Sequence, residues 1–205
     1  MSTTQKNYGE TWQHKHAKMF FYNFFKKLGY DPILEYSVAP DQRADLFLVG
    51  QKSDIKIVFE FQNSNISLKE IHRRTDLYIQ RNIVVIWIPF LNLPTEGGVI
   101  EKYAPLLFER WVHGFNGGKI LYFNPHKDCL YIGQFSTCKL PRENQYGEKY
   151  DWFSRRYKKF EFREIDIENI KWGIKKRNQY VSKNSKYVYP RGLIIDFTRI
   201  DSRID

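Results

Sequence analysis

The chain has 205 residues, of which 42% are hydrophobic, 17% aromatic and 27% charged, with a formal net charge of +10. That balance supplies a core and excludes a disordered chain, and the basic excess favours a polyanionic partner such as nucleic acid. The apolar runs are too short to span a bilayer, and Met1 to Glu10 lacks the apolar core of a signal peptide, so a soluble, cytoplasmic protein is expected.

In chain order, residues 10–28 read as a helix: Trp12, Lys15, Met19, Tyr22 and Phe25 recur at helical spacing and Gly29 stops the run. Ile33 to Val38 reads as a strand closed by Ala39-Pro40. Asp45 to Val49 and Ile55 to Gln62 read as two further strands, and the polar turn 50–54 between them predicts an antiparallel hairpin. Ser67 to Arg81 reads as a helix with Ser67 as N-cap and Glu70 three residues on. Ile83 to Ile88 is wholly apolar, as a central strand is. Val99 to Trp111 is expected to be a helix, followed by a hairpin of 120–123 and 129–135. The order helix, three strands, helix, strand predicts an α/β sandwich with a mixed sheet.

Cys129 and Cys138 fall in that hairpin. A disulfide between them is possible but not implied, and two cysteines without paired histidines are weak evidence for zinc. Composition shifts after residue 140: residues 149–191 hold 13 Lys or Arg against 5 Asp or Glu, a net +8. The expected organisation is a domain over 1–140 and a basic, aromatic-rich extension over 141–205, with Asn178 to Lys186 as a loop. In that extension Arg155, Arg156, Lys158 and Lys159 are candidate phosphate contacts, and its rings could stack on bases or build a small core.

The chemistry concentrates in Arg43-Ala44-Asp45-Leu46 and, fifteen residues after Asp45, Glu60-Phe61-Gln62. An antiparallel hairpin brings the start of one strand beside the end of the other, and residues i and i+2 share a face. Asp45 therefore converges with Glu60 and Gln62. Carboxylates among Ile, Val and Phe are costly unless compensated, and a divalent cation such as Mg²⁺ or Mn²⁺ compensates both. Asp45 and Glu60 are the candidate metal ligands, and Asp45, Glu60 and Gln62 the candidate catalytic set.

Those residues carry a resemblance. Glu10-Thr-Trp-Gln-His14-Lys-His-Ala-Lys18, Gln42-Arg-Ala-Asp45, Phe59-Glu60-Phe-Gln62-Asn-Ser64, then Glu70, Arg74 and Tyr78 resemble the nuclease domain of the competence protein CoiA family, within the PD-(D/E)xK superfamily. The resemblance covers residues 10–89, about 80 of the 205, and assigns nothing to residues 100–205. It implies a restriction-endonuclease-like sandwich and metal-dependent hydrolysis of phosphodiesters, most simply of DNA during uptake, recombination or repair. It also leads one to expect an N-terminal extension that this sequence does not carry. The superfamily usually has Lys where Gln62 stands, so the resemblance also admits a nucleic-acid-binding module that no longer cuts, or an enzyme acting on RNA.

By the same resemblance, Glu10 could extend the metal site. Candidate nucleic-acid contacts are His14, Lys18, Arg43, Ser64, Arg74 and Tyr78. Glu10, His14 and Lys18 repeat at i+4, as do Arg74 and Tyr78, so either a contact surface or a solvated helix stripe fits them.

Overall fold

The computed structural model describes residues 10–51, 54–91, 97–170, 173–181 and 188–197. Its first helix, α1 (Trp12–Lys27), is N-capped by Thr11, whose hydroxyl accepts from the His14 amide at 3.4 Å. Three strands follow: β1 (Ile33–Ala39), β2 (Gln42–Val49) and β3 (Lys56–Gln62). Helix α2 (Leu68–Gln80) begins at Ser67, whose hydroxyl accepts from the Glu70 amide at 3.2 Å, as the sequence pattern predicts. Strand β4 (Ile83–Pro89) is buried at every position, although it ends the sheet order rather than standing at its centre as its apolar run predicts. It is covered because Val85 and Trp87 enter one core and Val84, Ile86 and Ile88 the other.

These strands form a mixed sheet in the order β1-β2-β3-β4. Its β1–β2 and β2–β3 pairs are antiparallel, and β3–β4, connected through α2, is parallel. Alternation along the strands feeds two cores. Phe59 and Phe61 face α1, against Phe21 and Phe25, while Val58 faces Ile71 and Tyr78 of α2.

The next element corrects the sequence reading. Residues 97–103 form strand β5 (Gly97–Tyr103), and helix α3 (Leu107–Phe115) starts only after Pro105. Ile100, Tyr103, Leu107 and Trp111 fit helical spacing. However, the backbone of β5 pairs with a strand some 60 residues downstream, as the Ile100–Phe160 register shows. Proline also lacks the amide that a helix interior needs.

The predicted hairpin is present as β6 (Ile120–Asn124) and β7 (Cys129–Glu143), and β8 (Lys149–Ile165) returns along β7. They make a second sheet, β5-β8-β7-β6, which meets the first where the Leu91 amide donates to the Phe123 carbonyl at 3.0 Å. The proposed boundary at residue 140 falls inside β7, and Phe160, Phe162 and Ile165 of β8 are buried in the same two cores as α1 and α2. Trp152 and Tyr157 are half-buried and Phe153 is exposed, while Trp172 lies outside the described residues.

Cys129 and Cys138 are both free thiols on the one strand β7. Nine residues of strand separate them by about 30 Å, far beyond the Cα spacing of a disulfide. The chain ends its described part with β9 (Ile174–Arg177), β10 (Tyr180–Val181), β11 (Val188–Tyr189) and β12 (Gly192–Ile195). β9 pairs with β12 and β10 with β11, so the expected loop 178–186 contains a strand at 180–181, and its residues 182–186 lie outside the described residues. Among the described residues no helix is long and apolar enough to cross a membrane.

One close approach makes a test of the packing. A Cβ on Gly133 would stand 2.4 Å from a ring carbon of Phe160, which is fully buried. Gly133→Ala is therefore expected to cost about 1–3 kcal/mol. A thermal melt should fall by about 2–10 °C for a chain of this size.

Candidate active site

β2 and β3 pair only as far as Leu46–Phe59; beyond that, β2 continues against β1 and β3 against β4. Where they part, Asp45 lies opposite Glu60. Its carboxylate accepts from the Phe61 amide at 2.8 Å, occupying the place of the missing ladder partner. The pairs Leu34–Leu46 and Tyr36–Ala44 set Glu35 opposite Asp45 on the other side. Three carboxylates, Glu35, Asp45 and Glu60, thus stand in a row across β1, β2 and β3.

Each is held differently. Glu60 is 1% exposed. The Arg74 guanidinium donates to both its oxygens at 2.5–2.6 Å and to the Arg43 carbonyl at 3.1 Å, and the Tyr78 hydroxyl donates to it as well. Burial, and then the Asp45 charge, push the Glu60 carboxyl up to about 8, against the opposing pull of Arg74 and Tyr78. Burial and the Glu60 charge push the Tyr78 phenol above its ordinary range, which keeps it a donor. Gln42 is buried beside Tyr78, with neither amide atom in a well-aligned hydrogen bond.

His14 stands between Glu10 and Asp45, Nδ1 3.2 Å from one and Nε2 3.0 Å from the other; the second contact has the distance of an ion pair but not the angle of a hydrogen bond. Lys18, 7% exposed, is paired with both Glu10 and Glu35. Burial disfavours its charge, but the hydrogen bonds to those two carboxylates outweigh it and hold its pKa above the ordinary lysine value. Glu35 reaches Lys18 from a left-handed backbone (φ 53°), a conformation rare for a non-glycine residue and found at constrained sites.

The predicted site residues therefore divide. Asp45, Glu60, Glu10, His14, Arg74 and Tyr78 come together. Gln62 follows Glu60 on β3 and donates to the Ser64 carbonyl at 2.6 Å, and the next residue, Asn63, donates to the Thr11 hydroxyl at 3.3 Å, tying the end of β3 to the start of α1. Two expected phosphate contacts are corrected. Lys18 is buried between carboxylates, and Tyr78 is fully buried with its hydroxyl on Glu60. Arg74 is likewise occupied by Glu60. Arg43 and Ser64 are exposed.

Arg155 and Arg156 are exposed in the bulge of β8, whose carbonyls accept from Arg110; Lys159 lies 3.5 Å from both Glu101 and Glu161, and Lys158 is half-buried. Glu35 is a residue that sequence reasoning missed, and Gln42, quoted only as part of the family motif, was given no role. A glutamate in the apolar run Ile33 to Val38 was the available signal for the first.

Four carboxylates (Glu10, Glu35, Asp45, Glu60) here face two fixed cations, Lys18 and Arg74, with His14 between. Such a set attracts a cation, and its donors are mostly hard oxygens. Among the described residues no three acidic, His or Cys side chains form a ready-made metal cage.

No match to the chain was found among curated proteins or among solved structures. The family model described as competence protein CoiA, nuclease-like domain, matches residues 10–138. The match runs about fifty residues beyond the stretch legible as a resemblance, through β5, α3 and β6 and most of the way along β7. A match over more than half the chain, carrying every residue of the carboxylate cluster, shows that the chain belongs to the CoiA nuclease-like domain family.

Proposed function

We propose that the protein is a metal-dependent nuclease that hydrolyses DNA phosphodiesters at the Asp45–Glu60 cluster. The observation that carries this is the placing of two carboxylates face to face where β2 and β3 separate, in a chain of a nuclease-like family. The residues fit a divalent cation by charge and donor type. Burial and Asp45 together make the negative form of Glu60 costly, and a cation there offsets both causes. Asp45 and Glu60 would hold Mg²⁺ or Mn²⁺, with water and substrate phosphate completing its oxygen shell. Once bound, such an ion polarises the phosphate and lowers the pKa of its water.

The chain's own residues supply the rest. Arg74 and Tyr78 fix the Glu60 carboxylate, and the Phe61 amide fixes that of Asp45. Glu10 orients His14 toward Asp45 and binds Lys18. Gln62, beside the cluster, has its amide nitrogen engaged by Ser64, which leaves its amide oxygen to accept from a water. The test is incubation of plasmid and linear DNA with Mg²⁺ or Mn²⁺, with a parallel RNA substrate. Cleavage of DNA that requires the ion supports the reading; no cleavage with either ion rejects it.

A binding role without cleavage has its own supporting observation: Glu60 is already paired with Arg74 and Tyr78, and Gln62 carries no charge. Metal titration separates the two. Mn²⁺ binding that is lost in Asp45→Ala belongs to an enzyme, and DNA binding indifferent to metal and to Asp45 belongs to a binder.

The basic extension adds affinity in either reading. Of its four candidate cations, Arg155 and Arg156 are the exposed pair, with the Arg156 guanidinium 5.3 Å from the centre of the Tyr157 ring. Arg155→Ala/Arg156→Ala is expected to flatten the slope of log affinity against log salt by about 1.8 on duplex DNA, since each phosphate contact releases counterions. Adding Lys158→Ala and Lys159→Ala should change it little further. An unchanged slope in the first pair would remove this surface from the interface.

A further inference from the structure

The end of the sheet away from the carboxylates holds a cavity of about 300 Å³, whose polar lining is Asn82, Lys176, Arg177, Asn178 and Arg191 beside Ile79, Ile83 and Leu193. Ile83, also in its wall, pairs with Lys56, whereas Glu60 pairs with Trp87. Four residues of β4, about 13 Å, thus separate the two sites. Among the described residues, three cations and two side-chain amides line this cavity and no carboxylate does. Asp76 lines an adjoining cavity that shares only Arg191 with this one, so Lys176 and Arg177 carry the argument.

Arg177 is the informative residue. Its two terminal nitrogens donate to the Phe115 and Pro190 carbonyls, both neutral, and its guanidinium lies over the rings of Phe115 at 4.3 Å and Tyr189 at 5.6 Å. Its Nε is buried without a hydrogen-bond partner. Burial lowers its pKa to about 10, and only Tyr189 acts the other way. A cation taken out of water without a counter-charge is stabilised by an anion, and the adjacent Lys176 and Arg191 add to that field.

We infer that this cavity binds a phosphate group. The phosphate is either free, as inorganic phosphate or a nucleotide, or part of a nucleic-acid backbone lying along α2. α2 touches Glu60 through Arg74 and Tyr78, and Ile79 of the same helix lines the cavity, so the separation of about 13 Å corresponds to about four base-pair steps of duplex.

The test is calorimetric titration of inorganic phosphate at about 10 mM ionic strength, where screening is weak, into the wild type, Lys176→Gln, Arg191→Gln and the double variant. No divalent metal is present, so the result is independent of the nuclease reading. Arg177 is left intact because its carbonyl bonds join the C-terminal strands to α3. The wild type should saturate, and the double variant should bind about tenfold more weakly, as expected for loss of charge-assisted contacts. Melting curves are run on each variant; if the double variant melts early, the single variants carry the readout, each with a smaller loss.

Duplexes of about four and about twelve base pairs identify the source, given a rise of about 3.4 Å per step. A backbone phosphate predicts that only the longer duplex loses affinity in the variants. A free phosphate predicts that neither does. Failure of the wild type to saturate, or equal phosphate affinity in every variant, overturns the inference.

Discussion

Arg74→Ala is expected to destabilise the fold more at high pH than at low. In the folded chain the Glu60 carboxyl titrates near 8 rather than at its ordinary 4.5, so between those values the native state holds a proton that the unfolded state has released. Stability from this group is fully present below 4.5 and falls as pH rises through 8. Removing Arg74 takes away a charge that lowers the Glu60 value, so the penalty for ionised Glu60 grows. Above pH 8 the wild type ionises Glu60 while the variant holds the proton to higher pH, so the extra loss grows by about 1.4 kcal/mol per pH unit, to about 2 kcal/mol at pH 9.5, or about 4–8 °C in a melt of a chain this size. Near pH 5, where Glu60 is protonated, what is lost is mainly the contact of the Arg74 guanidinium with the Trp87 ring, 5.4 Å from its centre, and the bond to the Arg43 carbonyl, about 1 kcal/mol each. Adding Glu60→Gln to Arg74→Ala should restore most of the alkaline loss. Melts from pH 5 to 9.5 check it, and a loss independent of pH would refute the assignment.

The second expected result concerns activity. With DNA cleavage established, Asp45→Asn and Glu60→Gln should each reduce the metal-dependent rate by about a thousandfold, because a bound ion supplies several kcal/mol of transition-state stabilisation. Tyr78→Phe, which loosens Glu60 without removing it, should cost about 10–100-fold, the usual scale for a residue that orients a ligand. Single-turnover rates at saturating Mn²⁺ measure all three. Cleavage within tenfold of wild type in both carboxylate variants would place the chemistry elsewhere.

These residues differ in how far the sequence disclosed them. The Asp45–Glu60 meeting follows from period-two alternation and one short turn, both local. The Ser67 cap is equally local. Arg74 and Tyr78 were legible as sharing a helix face, but which face turns inward depends on Glu60 on another strand, so they read as surface contacts. Lys18 read the same way for the same reason. Glu35 was missed because its role requires Lys18 seventeen residues upstream and a left-handed backbone that no spacing announces. β5 was misread because its hydrogen bonds come from β8, beyond the reach of any window of helical periodicity.

The position of β8 has a consequence for how the chain becomes structured as it is made. Phe160 and Phe162 seal one core, and Ile165, Ile195 and Phe197 complete the other. Both lie downstream of Cys138, where the family likeness ends. A nascent chain that has delivered every residue of the carboxylate cluster still lacks the strand between β5 and β7. Closure must wait for contacts about 60 residues apart, which slows folding and leaves β7 paired on its β6 side alone in the meantime. The carboxylate-bearing segment is thus translated before the strand that closes its cores, and a fragment cut at the family boundary is expected to show no cooperative melt.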